Sequence, residues 1–279
     1  MLSKREKLYL AAERLPALAC PTCGEILTRA GEGFACAAGH RVDVNRRGCL
    51  NVLSHQAAGC YDAALFEARR RVVAAGCYTP VLDALDALLQ AHLPSGPQRL
   101  LDAGCGEGWY LNGLLARHPD WCGAGVDISR DAILCATSQP CTALWCVADL
   151  RRLPFRDGAF TAVLDVLTPA SYDAFRRVLG EGGLLLKVYP EEGYLREIRA
   201  ARGLGPYGAG RVDAYLHEKA YPLATRRVTA VQAVDDALWR DFVWMTPLNQ
   251  DLTPEEKEHL ARQNPGQVTI DLNVAAVRL

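Results

Sequence analysis

Hydrophobic and polar positions along the 279-residue chain fall into two regimes. From residue 99 onward, short apolar runs alternate with longer segments of helical spacing. Strands are expected at 99–103, 122–127, 142–147, 160–166 and 184–188, with helices near 108–116, 130–138 and 170–179. Apolar runs separated by helices are the pattern of a parallel sheet covered on both faces. Upstream, Leu65, Phe66, Ala68, Val72 and Val73 give a helix over Asp62 to Ala75, ended by Gly76. A second helix starts with Thr79 as N-cap and Pro80 at its first position and runs through Leu89. The tail holds β-like runs at 221–230 and 267–278 around a helix near 235–244, which would close the sheet as an antiparallel edge hairpin. Residues 1–19 are amphipathic and read as a short lead-in helix.

The stretch between these helices breaks the pattern. Cys20-Pro21-Thr22-Cys23-Gly24 is followed by Cys36-Ala37-Ala38-Gly39-His40, and too few apolar residues lie between to build a core. Each pair with its glycine forms a turn presenting two soft or borderline ligands. Four such ligands suit tetrahedral Zn2+ in a closed, structural site, so Cys20, Cys23, Cys36 and His40 are the expected ligands. Cys49 is an alternative to His40. Arg41 to Leu53 pairs with this ribbon or leads out of it, and Arg41, Arg46 and Arg47 are its basic cluster. His55 to Cys60, with Ala57-Ala58-Gly59, reads as a nearly neutral linker. The expected division is a ribbon module over 1–56 and a catalytic domain over 57–279.

Composition changes this picture little. Half the residues are hydrophobic, 23% are charged and the net charge is −1, so bulk attraction to nucleic acid or membrane has no support. No apolar run approaches the roughly 18 residues of a membrane span. The N-terminus shows no signal peptide, and eleven cysteines in such a chain point to reduced thiols in the cytoplasm.

The candidate chemistry centres on Leu100-Leu101-Asp102-Ala103-Gly104-Cys105-Gly106-Glu107-Gly108, in the order strand, tight turn, helix. The glycines let backbone pass close under a ligand, with the N–H groups of the turn and of the helix start expected to face it. The Gly-x-Gly-x-Gly spacing is shorter than the one that fits a pyrophosphate. Asp127 ends the second strand, where a carboxylate can accept both ribose hydroxyls. Asp149 ends the third, where it can accept from an adenine amine with the Leu150 N–H beside it. Three acids in register with the turn point to a nucleoside-type ligand.

These segments resemble class I S-adenosylmethionine-dependent methyltransferases. With the ribbon in front, the chain resembles more narrowly the bacterial 23S ribosomal RNA guanine-N1 methyltransferases, which include a macrolide-resistance branch. The resemblance rests on the ribbon with Gly48-Cys49-Leu50-Asn51-Val52-Leu53, on Glu67-Ala68-Arg69-Arg70 with Ala75-Gly76-Cys77-Tyr78, on the turn, on Leu153-Pro154-Phe155 and on Met245-Thr246-Pro247. It implies an α/β, Rossmann-like methyltransferase sheet behind a zinc ribbon that grips 23S ribosomal RNA. It also implies a structural Zn2+, and S-adenosylmethionine touched by Tyr78, Gly106 and Glu107. A further contact follows the fifth strand, where the family often has His and this chain has Tyr194. Thr168-Pro169-Ala170 stands where the family tends to have Ala-Pro-Cys, and the linker has lost basic residues.

Methyl transfer to guanine N1 requires loss of the N1 proton. Asp165, at the end of the fourth strand, is the nearest carboxylate by topology, and Tyr189 or Tyr194 would stack on or orient the base. Two rivals share the turn: a methyltransferase for a small molecule such as a quinone or antibiotic, and a non-catalytic RNA-associated protein that keeps the zinc and cofactor sites. The sequence leaves open whether two chains pair as a homodimer.

Overall fold

The computed structural model describes residues 2–53, 61–208 and 210–279, so the linker expected around Ala57-Ala58-Gly59 and the module boundary at 56/57 lie outside the described residues. Helix α1 (Lys4–Arg14) precedes three short strands, β1 (Thr28–Ala30), β2 (Gly33–Ala35) and β3 (Arg41–Asp43), which pair antiparallel as the ribbon. After β4 (Leu50–Asn51) come α2 (Ala63–Ala74) and α3 (Thr79–His92). The alternating region follows as β5 (Arg99–Ala103), α4 (Trp109–Arg117), β6 (Cys122–Asp127), α5 (Arg130–Ala136), β7 (Leu144–Val147), β8 (Phe160–Val166), α6 (Tyr172–Val178) and β9 (Leu179–Pro190). The tail contains α7 (Arg196–Ala201), α8 (Arg211–Lys219), β10 (Tyr221–Ala233), α9 (Asp236–Met245), α10 (Pro254–Ala261) and β11 (Gln267–Arg278).

Eight strands form one sheet in the order β10-β11-β9-β8-β5-β6-β7-β4. The central pairs are parallel, and β11 with β10 adds the antiparallel edge hairpin that the tail pattern predicts. Strand β5 has β6 on one side and β8 on the other, so the chain reverses direction of winding at the end of β5. In such sheets that crevice is where ligands bind. The N-cap of α3 is Tyr78 rather than Thr79, and Pro80 falls in its first turn.

Two flanks of the ribbon belong to the larger body. Strand β4 leaves the ribbon and pairs parallel with β7, Leu50 opposite Cys146. Helix α1 is capped by a Ser3–Glu6 box and packs on β6 and β7, burying Leu8, Tyr9 and Ala11. No α-helix separates β7 from β8, only a 3-10 turn over Leu150–Arg152. Helix α1, continuing through Leu15 and Leu18, shares one core with Ala103, Ala124, Leu144 and Phe155 on that face. It is part of the sheet's cover rather than a lead-in. The opposite face is covered by α3, α4, α5 and α9 around Leu85, Leu111, Ile133 and Trp239. No single helix among the described residues is long and apolar enough to cross a membrane.

Candidate active site and metal centre

In the ribbon, the ligand atoms of Cys20, Cys23, Cys36 and His40 all lie within 4.8 Å of one another. Cys23 and Cys36 Sγ are 3.7 Å apart, and His40 Nδ1 is 3.4 Å from Cys36 Sγ. Zinc–sulfur bonds of about 2.3 Å in a tetrahedron give sulfur–sulfur edges of about 3.8 Å, so the spacing fits the metal. Backbone bonds build both turns: Gly24 N–H donates to Cys20 O, and Gly39 N–H to Cys36 O. Cys49 stands apart, buried against Asn45, which leaves His40 as the fourth member.

At the end of β5 the glycine turn differs from expectation in one respect. The Gly104 and Cys105 N–H groups donate to Val126 O, and Gly106 N–H donates to Asp127 Oδ2 at 2.9 Å. These amides face β6 rather than a ligand, because the end of β6 supplies acceptors that would otherwise be buried unpaired. Gly104 has φ +75°, and a Cβ there would meet Thr168 Oγ1 at 2.5 Å. Gly106 has φ +54° but open space beside it, with nothing nearer than 3.7 Å to an added Cβ.

Side chains, more than amides, give the turn its chemistry. Asp102 and Glu107 are each 1% exposed, and Asp102 Oδ2 and Glu107 Oε2 have no hydrogen-bond partner. Glu107 Oε2 lies 3.3 Å from Arg69 Nε, an ion pair without hydrogen-bond alignment. Burial pushes the Asp102 carboxyl up to about 8, with the Glu107 charge adding and Arg69 opposing. Burial also raises Glu107 and Asp127. Two buried carboxyl groups and the half-buried Asp127 thus share one guanidinium, a field that favours a cation. The orphaned acceptors fit the ammonium and sulfonium of S-adenosylmethionine. Asp127 Oδ1 accepts from Ser129 N–H, so each Asp127 oxygen has one bond and one lone pair left for a ribose hydroxyl.

Asp149 and Leu150 lie on the other side of β6. Asp149 is held by Arg151, whose Nη2 is 2.7 Å from Oδ2 and whose side chain is 81% exposed. Arg151 thus occupies the oxygens expected to meet an adenine amine. Asp149 and Ile128 border a groove of about 2460 Å3 that extends to the ribbon, with Arg41, Arg152 and Arg156 along it. Ile128 is 44% exposed there, an apolar surface beside the expected adenine position that a strand-end pattern does not single out.

Tyr78 and Tyr194 meet at a second cavity of about 430 Å3, within the range of about 300–1,000 Å3 for small-ligand pockets. Their hydroxyls are 2.8 Å apart. Tyr110, Tyr189, Tyr207, Thr168 and Thr246 also line it. Asp165 does not. It is fully buried, with Oδ2 2.9 Å from Lys187 Nζ, and burial raises its carboxyl to about 6 against the pull of Lys187. Lys187 reaches the cavity instead, and sequence reasoning missed it because a lone lysine near a strand end has no motif. Leu167, which lines this cavity, and Leu195, next to Tyr194 in the chain, hold positive φ of 56° and 51°.

Comparison with known proteins agrees with this geometry. A family profile described as a methyltransferase domain matches residues 100–183. The Bacillus subtilis (strain 168) protein YxjB, which carries a provisional 23S rRNA (guanine-N(1)-)-methyltransferase name, is 32% identical over 91% of this chain and 94% of its own. The 23S rRNA (guanine(748)-N(1))-methyltransferase of Streptomyces fradiae is 30% identical over 92% and 94%. A Micromonospora griseorubida protein with a provisional name of the same kind is 32% identical over 68% and 71%. With identity of this extent running through ribbon, turn and tail together, the chain belongs to the bacterial 23S rRNA (guanine-N1)-methyltransferase family and is an S-adenosylmethionine-dependent methyltransferase.

Proposed function

We propose that this protein transfers a methyl group to N1 of a guanine in 23S ribosomal RNA, in the cytoplasm, with the zinc ribbon gripping the RNA. The observation that carries the reading is the buried acidic turn at Asp102 and Glu107, each with a carboxylate oxygen lacking a hydrogen bond, joined through Arg69 to a tyrosine-lined cavity large enough for a base. S-adenosylmethionine, when bound, supplies an electrophilic methyl group on a sulfonium. Asp102 and Glu107 would hold its cationic end, Asp127 its ribose hydroxyls, and Asp149 with Leu150 its adenine. Gly106 leaves room for it, Gly104 lets Thr168 pack against the turn beneath it, and Tyr78 and Tyr194 close the side toward the acceptor.

The protein's remaining task is alignment and exclusion of water. Guanine N1 lies on the pairing edge, so the base has to leave its stack to enter the cavity. Tyr189 and Tyr207 offer faces against which it can stack. By the same reading, loss of this methyl group changes macrolide susceptibility of the host.

The test is incubation of the purified full chain with labelled S-adenosylmethionine and unmethylated 23S RNA or a small-molecule extract. Label at guanine N1, mapped by mass spectrometry, supports the reading. Label in the extract alone supports the small-molecule alternative, and label in neither removes both.

A further inference from the structure

We propose that Lys187 donates a hydrogen bond to O6 of the acceptor guanine and so stabilises the anion left when N1 loses its proton; this rests on the guanine reading above. Among the described residues, the cavity wall contains no Asp, Glu or His. It therefore offers no ordinary general base. Its cations are Arg69, Lys187 and Arg199. Arg69 is engaged by Glu107, and Arg199 donates to the carbonyls of Gly205 and Pro206. Lys187 is different. Its side chain is only 7% exposed, and its ammonium is aimed by two acceptors: Oδ2 of the fully buried Asp165 at 2.9 Å, and the O of Thr168, a wall residue, at 2.5 Å. An ammonium has three N–H donors, so one remains for a ligand. Asp165 is thereby a positioning residue: it lies opposite Lys187 in the β8–β9 register and fixes where the ammonium points.

The chemistry follows from this placement. The N1 proton leaves to water at the cavity mouth, and the electron pair it leaves spreads over N1 and O6. A fixed, poorly hydrated donor at O6 lowers the energy of that anion more than water does. N1 then forms its bond to the methyl carbon as the carbon–sulfur bond breaks, the pair from that bond returning to sulfur. Adenine presents an amine in place of O6, so donor would face donor, and the site rejects it for that reason.

The experiment compares wild type, Lys187→Met, Lys187→Arg and the double variant Asp165→Asn/Lys187→Met, which removes the buried carboxylate together with its partner. Binding of S-adenosylhomocysteine by calorimetry reports whether each variant is folded at the turn. Expected is a kcat loss of about 10²-fold for Lys187→Met near pH 7, as for removal of one donor to a developing oxyanion. The KM for RNA stays within a few-fold, the loss shrinks as pH rises and N1 ionises unaided, and Lys187→Arg recovers part of the rate. The double variant shows the same pH trend. Variants that bind S-adenosylhomocysteine normally but keep wild-type kcat, or lose it equally at every pH, overturn the proposal. Wild type labelling an atom other than guanine N1 overturns the acceptor reading beneath it, an outcome separate from any variant's behaviour.

Discussion

The hydroxyl of Tyr78, at the start of α3, lies 2.8 Å from the hydroxyl of Tyr194, just past β9. This single bond joins segments 116 residues apart in sequence within the wall of the tyrosine-lined cavity. Either oxygen can be the donor, and burial raises both phenols, so the pair stays neutral.

Removing one hydroxyl leaves the other buried without its partner, at a cost of roughly 1–3 kcal/mol. Removing both leaves nothing unpaired. Tyr78→Phe and Tyr194→Phe are each expected to lower stability by that amount, and the double variant by less than their sum. Urea unfolding of the four proteins in a double-mutant cycle measures the coupling; strict additivity would mean the bond is not formed in solution.

Gly104 answers to two constraints at once, its positive φ and the Thr168 side chain 2.5 Å from where a Cβ would stand. Gly104→Ala is expected to cost about 1–2 kcal/mol for the backbone and a further 1–3 kcal/mol for overpacking. Adding Thr168→Gly should recover only the second part. Unfolding midpoints decide it, and full recovery would show that the backbone conformation is not strained for alanine.

Asp102 makes the ligand-free protein sensitive to pH. Burial lifts its carboxyl to about 8, so between roughly pH 4 and pH 8 the folded chain holds a proton that the unfolded chain releases. Stability therefore falls as pH rises through that window. Asp102→Asn should flatten the decline and be the more stable protein near pH 8. Unfolding midpoints measured at about pH 5 and pH 8 test this; a variant declining as steeply as wild type would assign the slope to another group.

The ribbon depends on its metal, since a structural zinc contributes on the order of 10 kcal/mol to isolated fingers of this kind. Cys36→Ser is expected to abolish zinc binding and expose residues 20–43 to proteolysis. The α/β body should keep its thermal transition, because α1 and β4 remain packed on the sheet. Metal analysis with mass-mapped digestion reads both effects.

Most of the sheet was legible because its strands are short apolar runs buried on both faces, and β5, β6 and β8 fall where the pattern predicts. The roles of α1 and β4 were not. An amphipathic segment such as Leu8-Tyr9-Leu10-Ala11 shows that it has a buried face but not which surface covers it, and a two-residue strand carries no period. Asp102, Asp127 and Asp149 were legible as acids at strand ends. What each carboxylate binds in the ligand-free protein was not, because Arg151 and the Gly106 amide reach them through turns whose geometry only the folded chain fixes. Lys187 escaped notice for a related reason: its partner Asp165 is a neighbour across strands, 22 residues away.

The attachment of the ribbon at both ends has a mechanical consequence. Its incoming chain is pinned where Ala19 N–H meets Pro154 O, and its outgoing chain where Leu50 joins the edge of the sheet. The metal knuckles and the base-sized cavity therefore sit like the two jaws of a caliper with a stiff frame between them. On the proposal that the ribbon grips RNA and the cavity takes the base, a nucleic acid held by one jaw would offer the other only a base at a set distance along its fold, so spacing itself would become a criterion of selection.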